Sequence, residues 1–260
     1  VVPVAAPLDP ADLLTRAKRR DGSRPLITYY DLDSGGRTEL SVATVENWVA
    51  KTAGMLFDEL DVTDGDVVDV DLPAHWLGLV VLAATWTLGA AVVLPPAAGG
   101  TPGSGASAVA AVRVRAAHEV NSREARGSDG SGLVVTSTRP LGGPAGMPLP
   151  PGAVDLGRDV LGYPDVLAVP LARSQDALLG AATLAPGEPG ARRLVVASRL
   201  DSTVAVDALL VPLRDDGSVV LVCTSRPVND DVAAAPDIAA IAADERVSIT
   251  RGRRSAPPPG

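Results

Sequence analysis

The chain has 260 residues, 46% of them apolar and only 3% aromatic, with a formal charge of −8. That length buries a core in one large α/β domain or two lobes, and the acidic balance argues against nucleic acid, which needs a basic footprint. Cys223 is the only cysteine, so no disulfide can form within the chain and no cysteine metal cluster is possible.

With few aromatics, the core must be built from small and β-branched side chains, which suits parallel sheets covered by helices. Val1 to Leu8 is apolar but has no basic region and is broken by Pro3 and Pro7, so no secretory signal is read. Together with the lone cysteine this leads us to expect a reducing cytoplasm. Residues 9–20 are expected to form an amphipathic helix, with Pro10 in the first turn and Leu13, Leu14 and Ala17 on one face. Leu26 to Asp31 reads as a strand, Ser34-Gly35-Gly36 as a turn, and Arg37 to Leu40 as the returning hairpin arm.

Ser41 is a good N-cap for the next helix. Its buried face is Val45, Trp48, Val49, Thr52, Ala53, Leu56 and Leu60, at steps of three and four. Asp64-Gly65-Asp66 makes a tight turn, and Val67 to Leu72 is a strand ended by Pro73. Trp76 to Gly100 carries no charge and is long enough to span a bilayer. Leu77, Val80, Val81, Ala84 and Leu88 nonetheless recur at helical spacing, Gly89 breaks the run, and Ala90 to Leu94 is a short strand before Pro95-Pro96. A buried helix, a turn and a strand are therefore expected, and no membrane span.

Gly99 to Ser107 is a linker, Ala108 to Ala117 is strand or helix, and Asn121 to Gly132 is a loop. Leu133 to Thr136 is a strand, and Arg139 to Gly152 is irregular because it is rich in proline and glycine. Further on, Gln175 to Ala182 is a helix, Leu194 to Ala197 a strand, Val204 to Leu213 an apolar helix, Val219 to Thr224 a strand, Ile238 to Asp244 a helix and Val247 to Thr250 a last strand. Alternating elements imply an α/β fold: layered, largely parallel sheets with helices on both faces, in two Rossmann-like sub-lobes. The expected division is 1–170, 171–250 and a flexible tail at 251–260. The one basic cluster, Arg251, Arg253 and Arg254, lies in that tail.

Residues 38–96 resemble the opening of acyl-adenylate-forming (AMP-binding) enzymes, the acyl-CoA synthetase superfamily. The residues that carry the likeness are Thr38-Glu39-Leu40, the helix to Leu60, Asp64-Gly65-Asp66-Val67-Val68, Leu72-Pro73 and Gly89-Ala90-Ala91-Val92-Val93-Leu94-Pro95. A second stretch, Leu209 to Leu213, Gly217 to Leu221 and Glu245 to Thr250, is similar to a later segment of those enzymes. The resemblance implies their N-terminal fold and compact AMP-binding-like proteins as the nearest kind.

The same resemblance implies a phosphate loop rich in Gly, Ser and Thr and followed by a lysine. The nearest run here is Thr136-Ser137-Thr138-Arg139-Pro140-Leu141-Gly142-Gly143-Pro144, which lacks both the early glycine and the lysine. The whole chain holds two lysines, Lys18 and Lys51. None is available for a phosphate loop or for the family's late catalytic lysine. Phosphoryl chemistry depends on positioning and charge neutralisation, so no catalytic residue is expected.

Other chemistry is thinly represented. His75 is read as a helix-start residue near solvent and His118 as exposed. No Gly-x-Ser-x-Gly elbow or Gly-x-Gly-x-x-Gly turn is present. Cys223 is expected in the core of a strand. Asp69 and Asp71 alternate with Val68, Val70 and Leu72, which places both carboxylates on one strand face, read as solvated rather than as a metal site. The expectation is a non-catalytic relative of adenylate-forming enzymes that acts by binding or interaction, with no cofactor and a protein partner. The alternatives are a small-molecule binder keeping an adenine-nucleotide or acyl cleft, with ATP or AMP and magnesium as ligand, and a subunit of a split ligase.

Overall fold

A computed structural model describes residues 10–96, 110–120, 130–167 and 187–250, apart from 227, 230, 231 and 233. The linker at 99–107, the helix expected at 175–182, the tail and most of the loop at 121–132 lie outside the described residues.

Helix α1 (Pro10–Asp21) lays Leu13, Leu14 and Ala17 into the core, as its spacing predicts. Strands β1 (Pro25–Asp31) and β2 (Gly36–Ser41) form an antiparallel hairpin. Ser41 then caps α2 (Val42–Leu60), its hydroxyl accepting from the Thr44 N–H at 3.2 Å. The buried face of α2 differs slightly from the expected one. Val42 and Met55 are fully buried, whereas Trp48 and Leu60 pack at its margin. Strand β3 (Val67–Asp71) leads into α3 (Trp76–Thr87), and β4 (Ala91–Val93) follows.

The uncharged run therefore resolves into a twelve-residue helix, a turn and a strand. Among the described residues no helix is long and apolar enough to cross a membrane. All twelve residues of α3 are buried, which explains why it is apolar on every side. Its C-terminus is closed by a Schellman motif. Gly89, at φ +81°, donates to the Trp86 carbonyl, and Ala90 donates to that of Thr85.

Val112–Ala116 is a strand, β5, which settles the strand-or-helix ambiguity there; residues 108 and 109 lie outside the described residues. Val112, Val114 and Ala116 are buried and alternate with Arg113 and Arg115, a period of two that no helix would use. Strands β6 (Gly132–Thr136) and β7 (Val154–Asp155) follow, then the short helix α4 (Leu156–Asp159). Beyond β8 (Arg192–Ala197), α5 (Ser202–Ala205) runs through a π turn at Val206–Leu210 into α6 (Val211–Arg214). Pro212 has no N–H to offer the Ala208 carbonyl. The helix widens just before it, and the Val211 N–H reaches back to Val206. Strand β9 (Ser218–Cys223), α7 (Pro236–Asp244) and β10 (Ile249–Thr250) complete the described chain.

Two five-stranded sheets result, in the orders β10-β8-β9-β1-β2 and β4-β3-β5-β6-β7. Every pairing between these strands is parallel except the hairpin. The sheets do not divide the chain at residue 170. Strand β1 pairs with β9, so residues 25–41 belong with the later strands. One large core, including α2, α3 and the inner faces of both sheets, joins the two. On its outer face the first sheet is covered by α7, where Leu194, Val220 and Val222 meet Ile238.

Replacing Ser41 by Ala removes the cap of α2. It should cost about 1 kcal/mol and lower the melting temperature by roughly 2–4 °C, read by thermal denaturation.

Candidate functional site

In open α/β sheets, ligands gather outside the carboxyl ends of the strands. In the second sheet the segment at that edge of β6 is the loop 137–145, which contains most of the run nearest to the phosphate loop that the resemblance implies, a run that lacks the early glycine and the lysine. Its residues show what the edge can do.

The N-terminus of α3 is buried, and its first N–H groups need internal partners. His75 is the N-cap, and its Nδ1 accepts from the Leu77 N–H at 3.1 Å. An accepting Nδ1 leaves the proton on Nε2, which donates to the Arg139 carbonyl at 3.0 Å. The ring also stands edge-on to Tyr29, with centroids 4.6 Å apart. His75 is thus 2% exposed rather than near solvent. The sequence places it correctly at the helix start but cannot show that sheet and loop close over it. Both ring nitrogens are engaged, and burial pushes its pKa down to about 4 against a hydrogen bond to Arg139 that opposes the shift.

Two further side chains hold the same turn. The Trp76 indole N–H donates to the Pro140 carbonyl at 2.8 Å, and the Thr38 hydroxyl donates to that carbonyl at 2.6 Å. Trp76 is itself packed edge-to-face on Trp48. Within the loop, the Gly142 N–H returns to the Arg139 carbonyl at 2.8 Å, and the Arg139 N–H goes to the Ser137 hydroxyl at 3.2 Å. The Ala145 N–H lies 3.0 and 3.1 Å from the two carboxylate oxygens of Asp155, which is 3% exposed. Pro140 and Pro144 carry no N–H. Leu141, at the tip, is 78% exposed.

Asp155 is a residue that sequence reasoning missed. Its signal, an acid beginning a short helix a few residues past a Gly/Pro-rich loop, is too common to single out. The loop is also held by close backbone approach. A side chain at Gly157 would overlap the Gly143 carbonyl oxygen.

The other candidates are scattered. His118 is exposed, as expected. Cys223 ends β9, with burial first and Asp31 next pushing its thiol up to about 11, which makes it unreactive as a thiolate. Asp69 and Asp71 do share one strand face. They are not left to water, because Asp69 pairs with Arg115 and Asp71 with Arg199. Among the described residues no group of three or more His, Cys, Asp or Glu could hold a metal ion. Lys18 pairs with Glu46. Lys51 donates to the Tyr163 carbonyl and pairs with Asp165 at 2.9 Å. Neither lysine is among the residues that hold the loop.

The two largely parallel sheets and the apolar helix in their shared core are a fold similar to that of a solved acyl-CoA synthetase. The crystal structure of the Brucella canis acyl-CoA synthetase superposes with a TM-score of 0.62 at 16% identity, over 88% of this chain. The chain spans 46% of that enzyme. No family model matches the sequence. A TIGR03089 family protein of Mycobacterium tuberculosis (strain ATCC 25618 / H37Rv) is 34% identical over 223 residues, which are 80% of this chain and 87% of that protein. The chain belongs to the TIGR03089 family.

Two outcomes are expected. His75 is neutral when folded, and its unfolded pKa is near 6.5, so the unfolded state binds the extra proton between these values. The stability it contributes is fully present above pH 6.5 and is lost as pH falls towards 4, by roughly 3 kcal/mol in total. Urea unfolding across that range should show the decline, and H75Q should flatten it. Separately, G157A should destabilise by about 1–3 kcal/mol through overpacking. G162A, where a methyl group meets nothing within 4 Å, should change stability by less than about 1 kcal/mol.

Proposed function

We propose that this protein is a non-adenylating member of the acyl-CoA synthetase fold that acts by binding or interaction. The observation that carries this reading is the internal use of the loop after β6. An adenylating enzyme of this fold needs such a loop to present free N–H groups and a cation to phosphates. Here Arg139, Gly142 and Ala145 direct theirs to acceptors within the protein, and two prolines have none to give.

Magnesium-bound nucleotide phosphates are a poor match to the residues present. The Asp155 carboxylate is buried against the loop and takes the Ala145 N–H, so it is not presented to a metal or a phosphate. The two lysines are committed to Glu46 and to Tyr163 and Asp165. No catalytic step is therefore assigned to a nucleotide. The fold can persist without the chemistry because the residues that hold the loop are those that cap and pack α3.

ATP–pyrophosphate exchange tests the reading. Purified protein with magnesium, ATP and a panel of aliphatic and aromatic carboxylic acids should exchange no label above a protein-free blank. Calorimetric titration with Mg·ATP and with AMP should show no saturable heat at millimolar ligand. Exchange dependent on one of the acids would end the proposal.

A further inference from the structure

The loop after β6 does not account for the charge on α1. Residues 16–24 read Arg16-Ala17-Lys18-Arg19-Arg20-Asp21-Gly22-Ser23-Arg24, five basic side chains against one acidic in a chain of net charge −8. The sequence reading assigns the one basic cluster to the tail. The α1 cluster escapes it because the charges interleave with core positions. Basic residues in a last helical turn complement the helix dipole, which accounts for Lys18, Arg19 and Arg20. It does not account for Arg16, a turn earlier, or for Arg24, beyond the helix.

Arg16, Arg19 and Arg20 fall three and four residues apart, on the exposed face opposite Leu13, Leu14 and Ala17. Lys18 and Arg20 pair with Glu46 and Asp216. Arg16 reaches only the Asp12 carbonyl of its own helix, at 3.4 Å. Arg19 pairs with no carboxylate among the described residues. Arg24 is different: it gives one N–H to the Gly217 carbonyl, and its Nε and Nη2 are buried, so it is not part of the exposed face. Two exposed guanidinium groups one turn apart, Arg16 and Arg19, therefore lack a carboxylate partner within hydrogen-bonding distance among the described residues, on a protein with acids to spare.

We propose that this face, carried by Arg16 and Arg19, docks a short acidic segment of a partner protein through guanidinium–carboxylate pairs. The proposal rests on the interaction reading above and names the chemistry of the partner. Other polyanions fit less well. A helix binds a membrane surface by burying its apolar face in lipid, and here that face is already in the protein core. A nucleic acid duplex needs a basic footprint long enough to neutralise several phosphates, and two unpaired arginines one helical turn apart match only a short acidic segment.

Fluorescence anisotropy with labelled oligoglutamate tests it on the whole chain. Saturable binding at low ionic strength is expected, weakening as salt rises. R16S/R19S should weaken it by about tenfold or more, while R16K/R19K, which keeps the charge, should retain most of it. R158S, an exposed arginine paired with Asp159, should leave it unchanged. Circular dichroism should show both double variants folded, since neither removed side chain is buried. The proposal is overturned by absence of saturable binding, by R16S/R19S binding as tightly as the parent, or by tighter binding of phosphatidylserine vesicles or a DNA duplex. Such a failure would leave the pyrophosphate-exchange result standing. Positive exchange would end the non-adenylating reading without touching this surface.

Discussion

The structure depends on a helix buried on every side. Helix α3 has no charged residue and no exposed face, so both its ends must be satisfied without water. Its C-terminus is closed locally, by Gly89 in a left-handed turn. Its N-terminus is closed by a side chain, His75, whose second nitrogen then has to find a partner in an apolar setting. That partner is the Arg139 carbonyl, and through it the cap of one helix fixes the loop that follows β6. Trp76 and Thr38 hold the next carbonyl of the same turn. Helix, hairpin and loop are tied at one point where the two sheets meet.

This economy has a functional side. In a parallel α/β sheet the loops at the carboxyl edge are the natural place for ligand-binding groups. Here several polar groups of one such loop are committed to architecture: the Arg139 and Pro140 carbonyls to side chains at the start of α3 and in β2, and the Ala145 N–H to Asp155. Freeing them for a ligand would leave buried donors unpaired on His75 and Trp76, a cost of the order of 1–3 kcal/mol for each group. The likeness to the Brucella canis enzyme is a likeness of fold, and folds carry many functions.

The second sheet has an uneven outer face. Strands β3 and β5 present Asp69, Asp71, Arg113 and Arg115 there, while Leu133 and Val135 of β6 are covered by Val120 and the loop near Leu149. Half-buried ion pairs such as Asp69 with Arg115 add little net stability once desolvation is counted. Their effect is to keep that part of the face from accepting an apolar layer. The apolar residues are concentrated on the inner face, against α2 and α3.

Much of this was legible in the sequence because it is local. The cap at Ser41, the break at Gly89, the helical spacing in α1 and α2 and the valine-rich strands are set by side-chain periodicity and backbone preference within a few residues. The acyl-CoA synthetase fold was legible too, in the order of motifs over residues 38–96, as was the lack of a lysine near the loop. Long-range pairing was not. Nothing near residue 25 says that β1 will lie beside β9, almost two hundred residues later, because parallel partners share no turn that would record the pairing. The state of His75 was equally hidden. Burial is a property of everything that packs around a residue, and only the assembled helix, sheet and loop turn a solvent-side histidine into a neutral buried cap. The sequence by itself determined the elements and the shortage of lysines. The tertiary structure decided which polar groups remain available to a ligand, since the side chains that occupy the Arg139 and Pro140 carbonyls, His75, Trp76 and Thr38, come from far away in the chain.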